Sequence, residues 1–215
     1  MKTLVKNLCI PLGSGITMLC VVVSAQVQVQ AHAQEIDPEW PCIQRLILEV
    51  SPAVMWPVPV EEDTLSQYRQ NSEIRALAEE LGDIEVFSEL HQESISNFAD
   101  NVVEDEKEHQ LTLLATGVVD VSNRVRKDYI SGIKRFTRQQ IVISEQIENT
   151  LNELSLMEES AGTDPEARRV VMETLRWHER VYDQRERSIQ LLCEEPVELE
   201  QQLSEVLRYA AQYLP

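Results

Sequence analysis

Positive charge is scarce in this 215-residue chain: 19 Lys and Arg stand against 37 Asp and Glu, a formal net charge of −18. A field of that sign repels nucleic acid and anionic lipid surfaces and favours contact with basic partners. Glycine is scarce too, at six residues, and no Gly-rich phosphate loop or dinucleotide fingerprint occurs. No alternating run of β-branched residues is long enough for a strand, which excludes the β-containing classes. Ser88, Ser94 and Ser96 stand in helical pattern, without the strand-to-helix elbow that a serine nucleophile needs.

Metal and haem motifs are incomplete. Glu106 and His109 make one Glu-x-x-His, but the residues three before His91 and His178 are Ser88 and Leu175, so the paired motif of a di-iron bundle is missing. The four cysteines are Cys9, Cys20, Cys42 and Cys193. Cys42 and Cys193 lie far too distant in sequence for a Cys-x-x-Cys-His or a Cys-x-x-Cys motif. No enzyme, metal or cofactor is expected.

What is present begins with a leader. Lys2 and Lys6 precede "LCIPLGSGITMLCVVVSA", and small-residue cleavage patterns end at Ala25, Ala31 and Ala33. Residues 1–33 read as a secretory signal peptide cut after Ala33, with the site after Ala25 as the alternative. Leu19 before Cys20 is too bulky for a lipoprotein box. Loss of Lys2 and Lys6 would leave 17 basic residues against 37 acidic ones. A periplasmic or secreted protein with no membrane anchor is expected, because no other segment approaches the ~18 consecutive apolar residues of a span.

From Thr64 onward the apolar residues recur at three- and four-residue spacing, which defines an all-α protein: an antiparallel bundle or coiled-coil-like hairpin. Thr64 and Gln67 form a capping box. Gly82–Asp83 ends one helix and caps another, and "AGTDPE" offers Gly162 as a stop, Asp164 as N-cap and Pro165 as first helical residue. Pro196 starts the last helix in the same manner. Helices are therefore predicted near 64–81, 84–160, 165–193 and 197–213. Val118, Val121, Val125, Tyr129, Ile133, Phe136, Gln140, Ile143, Ile147, Leu151 and Leu154 form the seam of the second.

That second helix has two readings. It runs straight for about 115 Å and exposes a seam for a second copy to cover, making a homodimer, or it folds back near Gly117 into a compact bundle. The charge pattern favours the fold at Gly117, which would lay the basic stretch from Arg124 to Arg138 beside Glu104–Glu108.

Residues 34–63 form a separate arm. Pro38, Pro41, Pro52, Pro57 and Pro59 forbid a long helix, while Trp40, Leu46, Ile47, Leu48, Val54, Met55 and Trp56 are too apolar for a free tail. A short helix near 43–49 is compatible with the pattern, and Trp40 reads as the anchor that lays the arm on the 64–215 bundle. Two cysteines in an exported chain predict a disulfide from Cys42 to Cys193. The expected function is binding without catalysis, as an envelope scaffold, adaptor or chaperone-like protein with a basic protein partner. The alternative is a small-ligand-binding sensory bundle whose pocket uses Arg124, Arg138 or His178, and a metal-binding bundle is a distant third reading.

Overall fold

The computed structural model describes residues 37–160, 162 and 164–215. The predicted leader and its cleavage positions at Ala25, Ala31 and Ala33 lie outside the described residues. All regular structure among those residues is helical: α1 Pro52–Met55, α2 Thr64–Gln70, α3 Ser72–Gly82, α4 Glu89–Asn101, α5 Lys107–Glu159 and α6 Pro165–Ala210. Short 3-10 turns occupy Glu104–Glu106 and Ala211–Tyr213.

Two long helices dominate. At 53 and 46 residues, α5 and α6 rise about 80 Å and 69 Å. They form an antiparallel hairpin: Arg126 meets Glu200 near one end, Arg185 reaches the Phe136 carbonyl in the middle, and Arg168 pairs with Glu158 near the tip. The tip has the predicted chemistry. Gly162 takes φ +107, and the Asp164 carboxylate accepts from the Glu166 N–H at 3.1 Å, with Pro165 at the first position of α6.

The remaining helices gather round one end of that hairpin. Residues 111–119, "LTLLATGVV", are buried on every side, as an uncharged helical stretch must be. Around them pack Tyr68 of α2, Ile74, Ala78 and Leu81 of α3, Ile95 and Ala99 of α4, and Leu203, Val206, Leu207 and Ala210 of α6. This is the core.

The predicted fold-back at Gly117 does not occur: α5 runs through it, and the helix is interrupted at Val102–Glu106 instead. Gly117 is a site of close approach. A β-carbon there would lie 2.3 Å from Cε2 of Tyr68 and 2.9 Å from Cβ of Ala78. The break runs from Val102 into the 3-10 turn that opens "EDEKEHQ", a stretch with no apolar residue to hold a helix against the core. The basic stretch does not face Glu104–Glu108 either. Arg124 pairs with Glu79 of α3, Arg126 with Glu200, Lys134 with Asp37 and Arg138 with Glu39.

Three helix boundaries also differ from expectation. Pro196 lies inside α6, where a proline costs about 3 kcal/mol in an isolated helix. Packing overrides that cost: Pro196 is buried, its carbonyl accepts from Arg126, and Leu199 and Leu203 continue the buried face beyond it. Gly82 ends α3, but the next helix waits until Glu89, because Phe87 turns in toward α6, its N–H donating to Gln202 Oε1 at 2.7 Å. The N-cap of α2 is Asp63, one residue earlier than Thr64; its side chain caps no backbone N–H but accepts from Gln67 Nε2 at 2.7 Å.

The Pro-rich arm is laid along α5 in the opposite direction. Lys134 binds Asp37, Arg126 Nε donates to the Ile47 carbonyl at 2.8 Å, and Asn123 exchanges two bonds with the Val50 backbone. The anchor is Trp56, 4% exposed, whose indole N–H donates to Thr112 Oγ1 at 3.0 Å. Trp40 is only half-buried, and its indole bonds within the arm to the Gln44 carbonyl. The short helix of the arm is Pro52–Met55 rather than 43–49.

Candidate functional site

Beyond the core the hairpin becomes a pair of helices with little to cover it. Between residues 141 and 195, Thr150 is the one buried residue among those described. The middle of this pair is held rigidly by polar groups. Gln140 Nε2 donates to the Tyr182 carbonyl at 3.0 Å and its Oε1 accepts from Arg185 Nε at 3.2 Å, while the Arg185 guanidinium stacks 3.9 Å from the centroid of Phe136. Gln140 is thus a polar link within the seam, and beyond it Ile143, Ile147 and Leu154 continue the seam half-buried.

Next to this crossing the arm is fastened to α6. Cys42 and Cys193 form a disulfide with a Cα–Cα distance of 5.5 Å, within the ordinary range, and Gln44 Nε2 donates to the Cys193 carbonyl. Arm, α5 and α6 thereby enclose a groove of about 960 Å³. Ile43, Ile141, Tyr182, Ile189 and Val197 supply its apolar lining, and Ile43 is fully exposed at 103%. Five carboxylates line it as well, Glu145 and Glu148 from α5 and Glu186, Glu194 and Glu198 from α6. No Lys, Arg or His lines it, and among the described residues none of the five carboxylates forms an ion pair.

The residues suggested from sequence as a ligand pocket are not brought together there, and none of Arg124, Arg138 and His178 lines the groove. Arg124 is tied to Glu79 at 2.6 Å, a hydrogen bond that holds its guanidinium above the usual arginine range. Arg138 binds Glu39 of the arm at 2.6 Å. His178 is half-buried on α6, edge-on to Trp177 with ring centroids 5.2 Å apart, and its Nδ1 is buried without a hydrogen-bond partner. Glu106 closes the 3-10 turn while His109 is exposed on α5. Among the described residues no group of three or more His, Cys, Asp or Glu is placed to hold a metal ion.

The groove itself escaped the sequence reading, although its signal was present. Around Cys193, Glu186, Ile189, Gln190, Glu194 and Val197 recur at three- and four-residue spacing, so a staple at Cys193 places them beside the arm. Comparison with protein-family models, with curated proteins and with solved structures finds no match to this chain. The fold defines a disulfide-stapled, all-α helical hairpin with a groove beside the staple.

Proposed function

We propose that this protein is an exported, non-catalytic binding protein, an adaptor or holding factor that engages another protein through the part of the α5–α6 hairpin beyond its core. The observation that carries this reading is the exposure of large apolar side chains there. Leu151, Leu156, Val170 and Trp177 are each about half exposed or more, on a helix pair whose inner face is already satisfied. Scattered single apolar residues are ordinary on a surface, but a run of them on a slender projection favours a partner. Export is supported by the disulfide, which persists in oxidising compartments. No helix among the described residues is long and apolar enough to cross a membrane.

The small-ligand reading has one observation in its favour, the groove, whose volume falls in the range of ligand clefts. The test of the leading reading uses Trp177→Glu combined with Leu156→Glu. Both side chains are exposed, so the circular dichroism melt should stay unchanged, while cross-linked capture of the partner from a native envelope or secretion extract is expected to disappear. Undiminished capture would sink the hairpin as the binding element.

A further inference from the structure

The groove beside the disulfide has a length and charge that narrow its occupant. We propose that it takes an extended polypeptide segment of about eight residues in which basic and apolar side chains alternate. This rests on the reading of the molecule as a protein-binding protein, but on residues other than the exposed ones of the hairpin tip.

Length sets the size of the occupant. The lining residues on α6 run from Tyr182 to Gln201, about 28 Å of helix axis. An extended chain of about eight residues at 3.4 Å each spans that length, and it presents alternate side chains to the groove floor.

Charge and apolar lining select the side chains. Five carboxylates without ion-pair partners among the described residues stand on both helices, and the described lining offers no positive group to any of them. They are strung along the groove rather than gathered, which suits spaced ammonium or guanidinium groups. Glu194 and Glu198 are separated by about 6 Å of helix rise, close to the ~6.8 Å between alternate side chains of an extended chain. Between the acids lie Ile141, Tyr182, Ile189 and Val197, and Ile43 stands wholly in solvent at the wall. A charge-only ligand would leave that apolar surface wet; an alternating one covers it while its cations meet the lips. The Cys42–Cys193 bridge belongs to the same wall, so the groove exists only while the arm is stapled.

Fluorescence anisotropy of a labelled Lys-Leu-Lys-Leu-Lys-Leu-Lys-Leu peptide against the full-length mature protein tests this. Saturable binding is expected, weakened tenfold or more by the triple variant Glu186→Gln, Glu194→Gln, Glu198→Gln, and severalfold by Ile43→Ser, which leaves every charge in place. Octalysine should bind at least tenfold more weakly. Both variants replace exposed side chains, and circular dichroism melts confirm that they fold. Absence of saturable binding overturns the proposal, as does equal binding of octalysine, indifference to both variants, or displacement of the peptide by a small cationic amphiphile such as dodecylammonium at lower concentration. The hairpin variant Trp177→Glu, Leu156→Glu should still bind the peptide. Failure of the peptide with continued capture by the hairpin would overturn only the groove, and loss of the hairpin's role with intact peptide binding would overturn only the earlier reading.

Discussion

Gly117 and Tyr68 are in direct apposition: the ring edge of Tyr68 occupies the space a side chain on Gly117 would need, with Cε2 2.3 Å from the position of a β-carbon. Tyr68 is 1% exposed and walled in by the core, so it cannot swing aside cheaply. Gly117→Ala raises helix propensity by about 1 kcal/mol, yet the overpacking penalty of about 1–3 kcal/mol or more should outweigh it. Denaturant unfolding is expected to show a net loss of stability for Gly117→Ala. The control is Gly132→Ala, in the same helix with open space around it, which should gain. If Gly117→Ala gained as much as Gly132→Ala, the close approach would be refuted.

Arg126 ties three segments at one point. Its side chain is 5% exposed, Nε donates to the Ile47 carbonyl of the arm, and Nη1 meets Glu200 and the Pro196 carbonyl of α6. Glu200 keeps 39% of its side chain in solvent, so its charge survives loss of the partner, while the buried Pro196 carbonyl and the half-buried bond to the Ile47 carbonyl lose their donor. Arg126→Met should therefore cost about 2–3 kcal/mol, the worth of charge-assisted hydrogen bonds inside a protein. Glu200→Gln should cost less. Equilibrium unfolding of the two variants measures the order, and a larger loss for Glu200→Gln would mean that the ion pair rather than the carbonyl bonds dominates.

Much of this architecture is legible from residue spacing. The all-α class and the hairpin tip at Gly162–Asp164–Pro165 follow from local rules that tertiary contacts reinforce, and the pairing of Cys42 with Cys193 follows from the cysteine count of a chain read as exported. The reversals fail for a common reason. Gly117 and Pro196 are helix breakers only in an isolated helix, and each is overruled by what packs against it, Tyr68 and Ala78 in one case, the α5 face in the other. The real break at Val102–Glu106 was marked by a missing stripe of apolar residues, a weaker signal locally but the one the core responds to. The basic stretch on α5 belongs to the arm, and only the three-dimensional course of residues 37–50 reveals that. The groove was hidden because its walls come from segments about 100 and 150 residues apart.

The arm has a pH-dependent fastening. The hydrogen bond from Lys134, then that from the Glu39 N–H, hold the Asp37 carboxyl below the ordinary aspartate value of 3.8. A depressed folded-state value means that the contact stabilises the docked arm fully above the ordinary carboxylate range and is lost as pH falls through the lowered value. Between pH 5 and 8 the fastening should not vary. Carboxyl NMR of Asp37 should titrate below 3.8, with residues 37–41 changing environment in step, and Lys134→Met should move the midpoint upward. A midpoint at or above 3.8 in the native protein would contradict the ion pair.

Closing a loop of this size is worth roughly 5 kcal/mol in the chain-entropy account of disulfides, which concerns the separation of 151 positions between Cys42 and Cys193. The arm, however, is fastened at two levels. Residues 37–49 depend on the disulfide, on Gln44, on the Arg126 bond to the Ile47 carbonyl and on the ion pairs Lys134–Asp37 and Arg138–Glu39, and exposed pairs contribute at most about 1 kcal/mol each. Residues 50–60 hold independently through the two Asn123–Val50 bonds and the buried Trp56 indole on Thr112. Cys42→Ser with Cys193→Ser should therefore lower stability by several kcal/mol and open the chain to limited proteolysis at Arg45, while the segment around Trp56 stays protected. Mass mapping of the early fragments decides it. Cleavage spreading at once through residues 50–60 would show the arm to be a single unit hung from the disulfide, and no cleavage at Arg45 would show the bridge to be dispensable for docking.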